Sequence, residues 1–181
     1  MVSSMLKLSK LGSFGLRNDD LEKHIVIREA KSSDTSMLLA IRNDPENYKW
    51  FYNNAPVTVE EHAHWLNERI WTANFFTLVA EIDGEVIGIA YLSDMESTTP
   101  KVSVSIKEGK RGIGVGTKLL QELISRSRTA SIKTLFAEIK ISNTASFQLF
   151  SRHGFVAIQN NSKIVTNFCH DTLEMSLNLG F

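Results

Sequence analysis

Three glycines and two cations lie close together in the middle of the chain, within residues 110–117. Residues 102–106 before them alternate apolar and polar side chains, as a half-buried strand does. The residues after them repeat apolar side chains at helical spacing: Val115, Leu119, Leu120, Leu123 and Ile124. Glycine lets a ligand approach the backbone, and a helix start offers unpaired N–H groups at its positive dipole end. The segment therefore predicts a site for a phosphate-bearing ligand.

Two common phosphate-binding patterns do not fit this segment. A Walker loop needs Gly-Lys-Ser/Thr at its end, whereas Gly116 is followed by Thr117 and then Lys118. A dinucleotide-binding turn needs its third glycine one position later than Gly116, inside a parallel βαβ unit. A glycine-rich turn that binds no ligand is the plain alternative at this point.

The composition indicates an ordinary globular protein. The chain has 181 residues, which is enough for one well-packed domain. Its contents of 43% hydrophobic and 22% charged residues are usual for such a protein. Lysine plus arginine and aspartate plus glutamate both total 20, and the resulting zero net charge argues against nucleic-acid binding. No apolar run is long enough to cross a bilayer, so we expect no membrane partner.

Cysteine and histidine usage gives two further expectations. The single cysteine, Cys169, excludes an internal disulfide and is consistent with a cytoplasmic location. The five histidines and this cysteine show no ligand spacing, so we expect no metal.

The elements that would position the glycine segment can be predicted in order. Residues 1–23 are expected to be a flexible N-terminal arm and residues 24–181 a single domain. Ser33 and Asp34 can cap a first helix that Pro45 helps to end, and an aromatic loop follows. The other predicted elements are strands at 24–27, 75–82, 85–91, 102–106, 134–139, 155–158 and 171–177, and helices that begin at 58, 115 and 143. This order is not the strict alternation of a doubly wound fold.

Two motifs at a fixed separation carry a family resemblance. Arg111, Gly114 and Gly116 stand in the order Arg-x-x-Gly-x-Gly, which resembles the Arg/Gln-x-x-Gly-x-Gly/Ala signature of the GNAT acetyltransferases. The second motif is similar to the helix that follows the splayed strand in that family: Asn143, Ser146, Leu149, Phe150, Gly154 and Phe155. The resemblance runs from about residue 24 to the end. It implies an α/β (α+β) GNAT fold, in which a mostly antiparallel twisted sheet of six to seven strands carries helices on both faces and a splayed strand pair.

The resemblance also implies acetyl-coenzyme A as the acyl donor. Loop amides would hold its pyrophosphate, and the main chain at Ile106 and Lys107 would lie beside its pantetheine arm. A backbone N–H at Ile106 could polarise the thioester carbonyl. The cofactor-binding residues that the resemblance implies are Ile106, Lys107, Arg111, Gly112, Ile113, Gly114, Val115, Gly116, Thr117, Asn143, Ser146 and Phe150.

The reaction of an amine with a thioester needs a group that removes a proton. Glu138 is our candidate base, because it lies near the end of the strand that diverges in GNAT folds. The plain alternative is that Glu138 pairs with a lysine on an exposed strand face. Phe150 stands where many family members have a tyrosine that protonates the leaving thiolate. The acid is therefore open, with Tyr91 or Tyr52 as weaker candidates or departure without a protein acid.

The acceptor is expected to lie against the first two helices. Residues 42–45 and 60–62 resemble GNAT enzymes that acetylate a UDP-linked amino-dideoxy sugar in pseudaminic acid synthesis. Arg42 could bind a diphosphate, while Trp50, Phe51 or Tyr52 could stack on a ring. The substrate-binding residues predicted in this way are Arg42, Trp50, Tyr52, His62 and Tyr91.

Other assignments for the whole chain also stay open. The acceptor could instead be the N-terminus of a protein, of the ribosomal-protein type, because those enzymes have a similar first helix. A non-catalytic domain that only binds acetyl-coenzyme A is the alternative from another class. An edge strand near the C-terminus would also allow a homodimer.

Overall fold

The computed structural model describes residue 22 and residues 24–73, 76–95, 99–158 and 172–180. The strands are β1 Val26–Glu29, β2 Thr77–Ile82, β3 Glu85–Ser93, β4 Lys101–Ile106, β5 Thr134–Lys140, β6 Val156–Ala157 and β7 Thr172–Asn178. The α-helices are α1 Thr35–Arg42, α2 Pro45–Tyr48, α3 Val59–Ala73, α4 Val115–Thr129 and α5 Thr144–Arg152, with a 3-10 turn at Ser32–Asp34 before α1. The N-terminal arm expected at 1–23 and Cys169 lie outside the described residues, except for Glu22.

The seven strands form one sheet in the order β1-β2-β3-β4-β5-β7-β6. Every neighbouring pair is antiparallel except β4 and β5, which are parallel. These two strands are in register at a single position, where Lys101 faces Phe136. The rest of β4 has no ladder to β5, so the sheet opens between them. This is the mostly antiparallel, splayed sheet expected from the sequence.

Helices cover both faces of the sheet. On one face α4 packs its apolar stripe on the sheet, and Leu119, Leu120 and Leu123 are fully buried there. Burial of each leucine contributes roughly 1.5–3 kcal/mol. On the other face α1 and α3 pack against the alternate strand residues that point to that side, such as Val79, and form a second hydrophobic cluster. β4 lies between these two layers, so a donor site at its open end can take residues from both.

Three of the caps and turns predicted from local signals are confirmed. Asp83 and Gly84 both adopt left-handed conformations in the β2–β3 hairpin. Thr58 and Glu61 bond reciprocally at the start of α3, at 2.8 and 3.2 Å. The Asn143 side chain accepts from the Ser146 N–H at 3.1 Å at the start of α5.

The first helices and two strands differ from the prediction. Asp44 is extended, as a residue before proline should be, but Pro45 then begins α2 instead of a loop. Asp34 does not cap α1 through its side chain. The first strand spans Val26–Glu29, two residues later than predicted, and β6 is shorter than the predicted strand at 155–158. Hydrophobic runs indicate a strand, but pairing with the neighbour sets its ends.

Asp34 instead takes part in a buried ionic cluster. Its side chain is nearly inaccessible, and Arg28 donates to both carboxylate oxygens at 2.7 and 2.9 Å. The Lys31 N–H also donates to Asp34, at 2.8 Å, and Arg28 reaches Glu81 at 2.7 Å. Burial raises the pKa of Asp34, but the hydrogen bonds from Arg28 and Lys31 outweigh it and hold the pKa below its usual range.

Replacement of Asp34 by alanine is expected to lower the free energy of unfolding by about 3 kcal/mol, because Arg28 keeps its charge and loses a buried partner. The native pKa of Asp34 is lowered, so its stabilisation is complete above the ordinary carboxyl pKa of about 4 and is lost as the pH falls through the lowered value. Urea unfolding of the original protein and of Asp34→Ala should give a constant difference in the free energy of unfolding between pH 8 and pH 5. This difference should disappear as the pH falls further. The exposed Glu60→Gln is the control; an equal effect there would contradict the assignment.

Candidate active site

The end of β4 presents its main chain to the opened sheet. The Lys107 N–H donates to the Ile87 carbonyl at 2.9 Å, so Lys107 after β4 and Ile87 of β3 form a hydrogen-bonded pair. Ile106 faces Gly88 in the next, non-hydrogen-bonded position. The N–H and C=O of Ile106 therefore point away from β3, into the gap that β5 leaves open. A ligand in this gap can bond to the Ile106 peptide groups.

The glycine segment forms a loop that leads into α4. Gly112 and Gly114 have φ values of 80° and 89°, a conformation that favours glycine, and Gly114 is the N-cap of α4. A Cβ added to Gly114 would lie 2.9 Å from the Glu22 side chain. A Cβ added to Gly116 would lie 3.1 Å from Leu149 of α5. The loop therefore exposes backbone at the helix start, and Gly116 also allows α4 and α5 to pack closely.

The remaining loop residues divide by what their side chains do. Val115 is buried in the core, so it can offer a ligand only its N–H. Ile113 packs against the same core and is partly exposed. Arg111 and Gly112 are exposed and Thr117 is half-buried. The structure thus brings together the residues from 106 to 117 that the sequence predicted as a donor site.

Salt bridges hold two of the nearby lysines. Glu85 at the start of β3 bonds to Lys107 and lies 3.8 Å from Lys110. The hydrogen bond from Lys107 lowers the pKa of Glu85. Arg111 donates to Asn47 of α2 at 3.0 Å and lies 4.0 Å from Glu46. Glu85 and Asn47 were not predicted from the sequence, because both lie far from the glycine motif along the chain.

α5 packs beside the start of α4, where Leu149 lies against Gly116. Asn143 and Ser146 are half-buried at the start of α5, and the Asn143 oxygen is used in the cap. Phe150 is 4% exposed and packs edge-to-face on Phe155 with ring centroids 4.9 Å apart. Its ring is part of the core, so any contact between Phe150 and a cofactor stays a prediction.

A separate cavity of about 240 Å³ lies between strands β3 and β4 and the α1–α3 layer. Ser105 forms part of its wall and immediately precedes Ile106, so the cavity adjoins the gap. The polar and aromatic residues that line it are Arg42, Phe51, Glu61, His62, Trp65, Tyr91 and Ser105. Three of the predicted acceptor residues, Arg42, His62 and Tyr91, are therefore brought together. Trp50 and Tyr52 are not among the lining residues, and Tyr52 is 81% exposed.

Arg42 supplies the fixed positive charge of the cavity. Its guanidinium lies 4.4 Å from the centre of the Phe51 ring and donates to the carbonyls of Asn53 and Ala55 at 3.1 and 3.2 Å. Burial lowers the pKa of Arg42, but an arginine stays charged at neutral pH. The guanidinium has five N–H donors, so these bonds leave donors for a ligand.

His62 adds a neutral polar group. It is 5% exposed, and its Nδ1 is buried without a hydrogen-bond partner among the described residues. Burial, and secondly the charge of Arg42, lower the pKa of His62 below its usual range. The ring is therefore uncharged at neutral pH. Trp65 and Tyr91 complete an aromatic wall, with their ring centroids 5.2 Å apart.

Glu138 lies on β5, and its carboxylate accepts from the Lys101 ammonium at 3.1 Å. It is not among the residues that line the cavity. Lys101 is four residues from Ser105 on β4, a separation of roughly 13 Å along a strand. The ion pair is the plain alternative that the sequence left open. The catalytic role of Glu138 stays a prediction.

Two searches of the described residues, which omit 1–21, 23, 74–75, 96–98, 159–171 and 181, bear on other chemistry. No group of three or more His, Cys, Asp or Glu side chains is placed to hold a metal ion in the described part. No described helix is long and apolar enough to cross a membrane.

Comparison with known proteins places this chain and its fold in one family. The model of the acetyltransferase (GNAT) domain matches residues 24–156. The chain therefore belongs to the GNAT acetyltransferase family, and it is an acyltransferase. The expected fold and enzyme class are confirmed.

One similar curated protein and two similar solved structures show the range of acceptors. L-methionine sulfoximine/L-methionine sulfone acetyltransferase of Pseudomonas aeruginosa is 33% identical over 135 residues, which are 71% of this chain and 78% of that protein. A ribosomal-protein-alanine N-acetyltransferase of Brucella melitensis is 30% identical with a TM-score of 0.71, covering 84% of this chain and 99% of its own.

A phosphinothricin acetyltransferase of Sinorhizobium meliloti, solved with acetyl-CoA, is 27% identical with a TM-score of 0.71. The match covers 87% of this chain and 89% of that chain. Its bound ligand agrees with the acyl donor expected from the sequence. These comparisons give no support to the expected sugar-nucleotide acceptor.

Proposed function

We propose that this chain transfers the acetyl group of acetyl-CoA to the amine of a small molecule that carries a carboxylate near that amine. The observation that carries the proposal is the cavity, which adjoins Ile106 of the donor gap and contains Arg42 as a fixed cation. An arginine can hold a carboxylate through two parallel hydrogen bonds. The acceptor amine would then face the thioester across β4.

The size of the cavity also favours a small acceptor. Its volume of about 240 Å³ is below the range of roughly 300–1,000 Å³ that is usual for drug-sized ligands. An amino-acid-sized molecule fits this space, whereas the nucleotide of a UDP-linked sugar would have to lie outside it. The names of the Pseudomonas and Sinorhizobium relatives point to acceptors of the smaller kind.

The proposed chemistry is a direct attack in a ternary complex. The neutral amine nitrogen bonds to the thioester carbon, and the carbon–sulfur bond breaks to release the coenzyme A thiolate. The Ile106 N–H would stabilise the oxyanion formed between these steps. The amine loses one proton, to Glu138 through water or to solvent. A thiol pKa of about 8.5 lets the thiolate leave without a protein acid, which fits the phenylalanine at position 150.

A panel of acceptors tests the proposal and its alternatives. The rate of thiol release from acetyl-CoA would be measured with free amino acids, the matching carboxamides, short peptides and UDP-amino sugars. The proposal expects turnover of the free amino acid and at least about tenfold less with its carboxamide, because Arg42 then meets a neutral group. Preference for peptides would favour a protein N-terminus, and turnover of sugars alone would favour the sugar-nucleotide reading. Binding of acetyl-CoA without turnover across the panel would favour a non-catalytic domain.

If Glu138 is the base, Glu138→Gln should lower kcat about 100-fold and leave the affinity for coenzyme A unchanged. The amide keeps the shape of the side chain but cannot take the proton. The matched control is Glu174→Gln, which removes the carboxylate directly opposite Glu138 on β7. Unchanged turnover in the Glu138 variant would leave this residue as the partner of Lys101 only.

The cytoplasmic location, the homodimer and the domain limits expected from the sequence stay predictions.

A further inference from the structure

Asn47 lies where the two halves of the site meet. It belongs to the short helix α2, whose start is fixed by Pro45 and by the Asp44 cap. Its side chain is 7% exposed, which is unusual for an asparagine that does not face a ligand. A buried amide has two N–H donors and an oxygen that need partners.

All of these groups have partners, and the partners come from three different elements. The Asn47 Nδ2 donates to the carbonyls of Ile41 in α1, at 2.9 Å, and of Ile106 in β4, at 3.0 Å. The Asn47 Oδ1 accepts from Arg111 Nη2 of the glycine loop at 3.0 Å. One side chain thus joins the acceptor-side helix, the open end of β4 and the donor loop.

The two carbonyls are groups that their own elements leave without a partner. The Ile41 carbonyl is in the last turn of α1, where no later N–H of the helix can reach it. The Ile106 carbonyl points into the gap that β5 leaves open. A hydrogen bond from Asn47 to this carbonyl therefore fixes the orientation of the Ile106 main chain where no neighbouring strand does so.

We propose that Asn47 is a positioning residue that sets the geometry of the donor site by holding Ile106 and Arg111 against α1. This inference rests on the proposed function, because Ile106 and Arg111 are the residues that would contact the pantetheine arm and the pyrophosphate. Asn47 itself does not touch the reacting atoms. Its loss leaves the Ile106 carbonyl and the Arg111 guanidinium without the hydrogen bonds that fix their orientation.

Asn43 provides a matched control, because it is a second clamping asparagine four residues earlier. Its side chain bonds twice to the main chain of Val57, at 2.8 and 2.9 Å. Val57 lines the acceptor cavity and has no part in the donor loop. Asn47 makes three hydrogen bonds, two of them to the donor side, whereas Asn43 makes two, both to the acceptor side.

The test compares Asn47→Ala with Asn43→Ala in coenzyme A binding and in steady-state kinetics. Asn47→Ala should weaken coenzyme A binding, measured by calorimetry, and raise the KM for acetyl-CoA about tenfold, with the acceptor KM within twofold of the original. Asn43→Ala should do the reverse, raising the acceptor KM and leaving coenzyme A binding unchanged. Thermal unfolding of both variants shows whether they are destabilised alike, so that a general loss of structure cannot produce opposite effects.

Two further variants separate the contacts and provide for a failure to fold. Asn47→Asp keeps an oxygen for Arg111 but cannot donate to Ile106, so it should be as defective as the alanine variant. Asn47→Ser is smaller and still polar, and it would replace the alanine variant if that does not fold. Equal effects of the Asn43 and Asn47 variants on both substrates, or wild-type coenzyme A binding in Asn47→Asp, would overturn the inference. Failure of the wild-type protein to bind coenzyme A would instead reject the proposed function.

Discussion

Gly114→Val is expected to weaken coenzyme A binding by at least about 100-fold and to abolish turnover. Gly114 has a φ of 89°, which costs a residue with a Cβ roughly 1–2 kcal/mol and a β-branched residue more. The new Cβ would also lie 2.9 Å from the flexible Glu22 side chain, which can turn away, so relief of the left-handed φ is what moves the loop. Because Gly114 is the N-cap of α4, this movement would displace the N–H groups proposed to hold the pyrophosphate.

The matched control for this prediction is Gly154→Val. Gly154 has a φ of 86° and follows α5, outside the glycine loop, so valine there brings similar backbone strain. Both variants should lose thermal stability, but only the Gly114 variant should lose coenzyme A binding in calorimetry. Wild-type affinity in Gly114→Val would show that the glycine loop does not hold the donor.

Local sequence signals were sufficient for the parts of the site that consecutive residues build. The strand, glycine turn and helix from 102 to 129 each carry their own pattern, and the structure reproduces all three. The cap at Asn143 and the left-handed Gly154 likewise depend on a few neighbouring residues. Such features form wherever the chain supplies the right residue types, so one sequence is enough to predict them.

Contacts between distant segments could not be predicted in this way. Asn47 reaches Arg111 across 64 positions of the chain, and nothing near Asn47 marks it as different from a surface asparagine. The same limit applies to Phe51, which lines the cavity while the more exposed Tyr52 does not. Which aromatic faces inward depends on the turn that α2 makes, and no helix was predicted there.

The acceptor resemblance failed to gain support for a related physical reason. It was read from residues 42–45 and 60–62, and the structure gives several of them structural tasks. Asn43 clamps Val57, Asp44 caps α2 and Glu61 belongs to the capping box of α3. A residue that shapes the fold in this way carries no information about the acceptor. Of this set, Arg42, Glu61 and His62 line the cavity, where a substrate could reach them.

Arg42→Met is therefore the most informative change on the acceptor side. It is expected to raise the acceptor KM about 100-fold, because a paired carboxylate in a partly desolvated cavity is worth roughly 2–3 kcal/mol. The KM for acetyl-CoA should stay within about twofold, since Arg42 bonds to Asn53 and Ala55 on the acceptor side only. Arg42→Lys should be intermediate, because it keeps the charge and loses the two-pronged geometry.

The preference for a carboxylate distinguishes two causes of a raised acceptor KM: loss of recognition by Arg42 and loosening of the loop at 53–57. The original protein should prefer a free amino acid to its carboxamide, and Arg42→Met should turn over the two at similar rates. Asn43→Ala also loosens this loop but keeps the guanidinium, so it should raise the KM for the free amino acid and for its carboxamide and keep the preference. If Arg42→Met keeps the preference as well, the carboxylate is bound by another group, and the acceptor class inferred from this cavity is wrong.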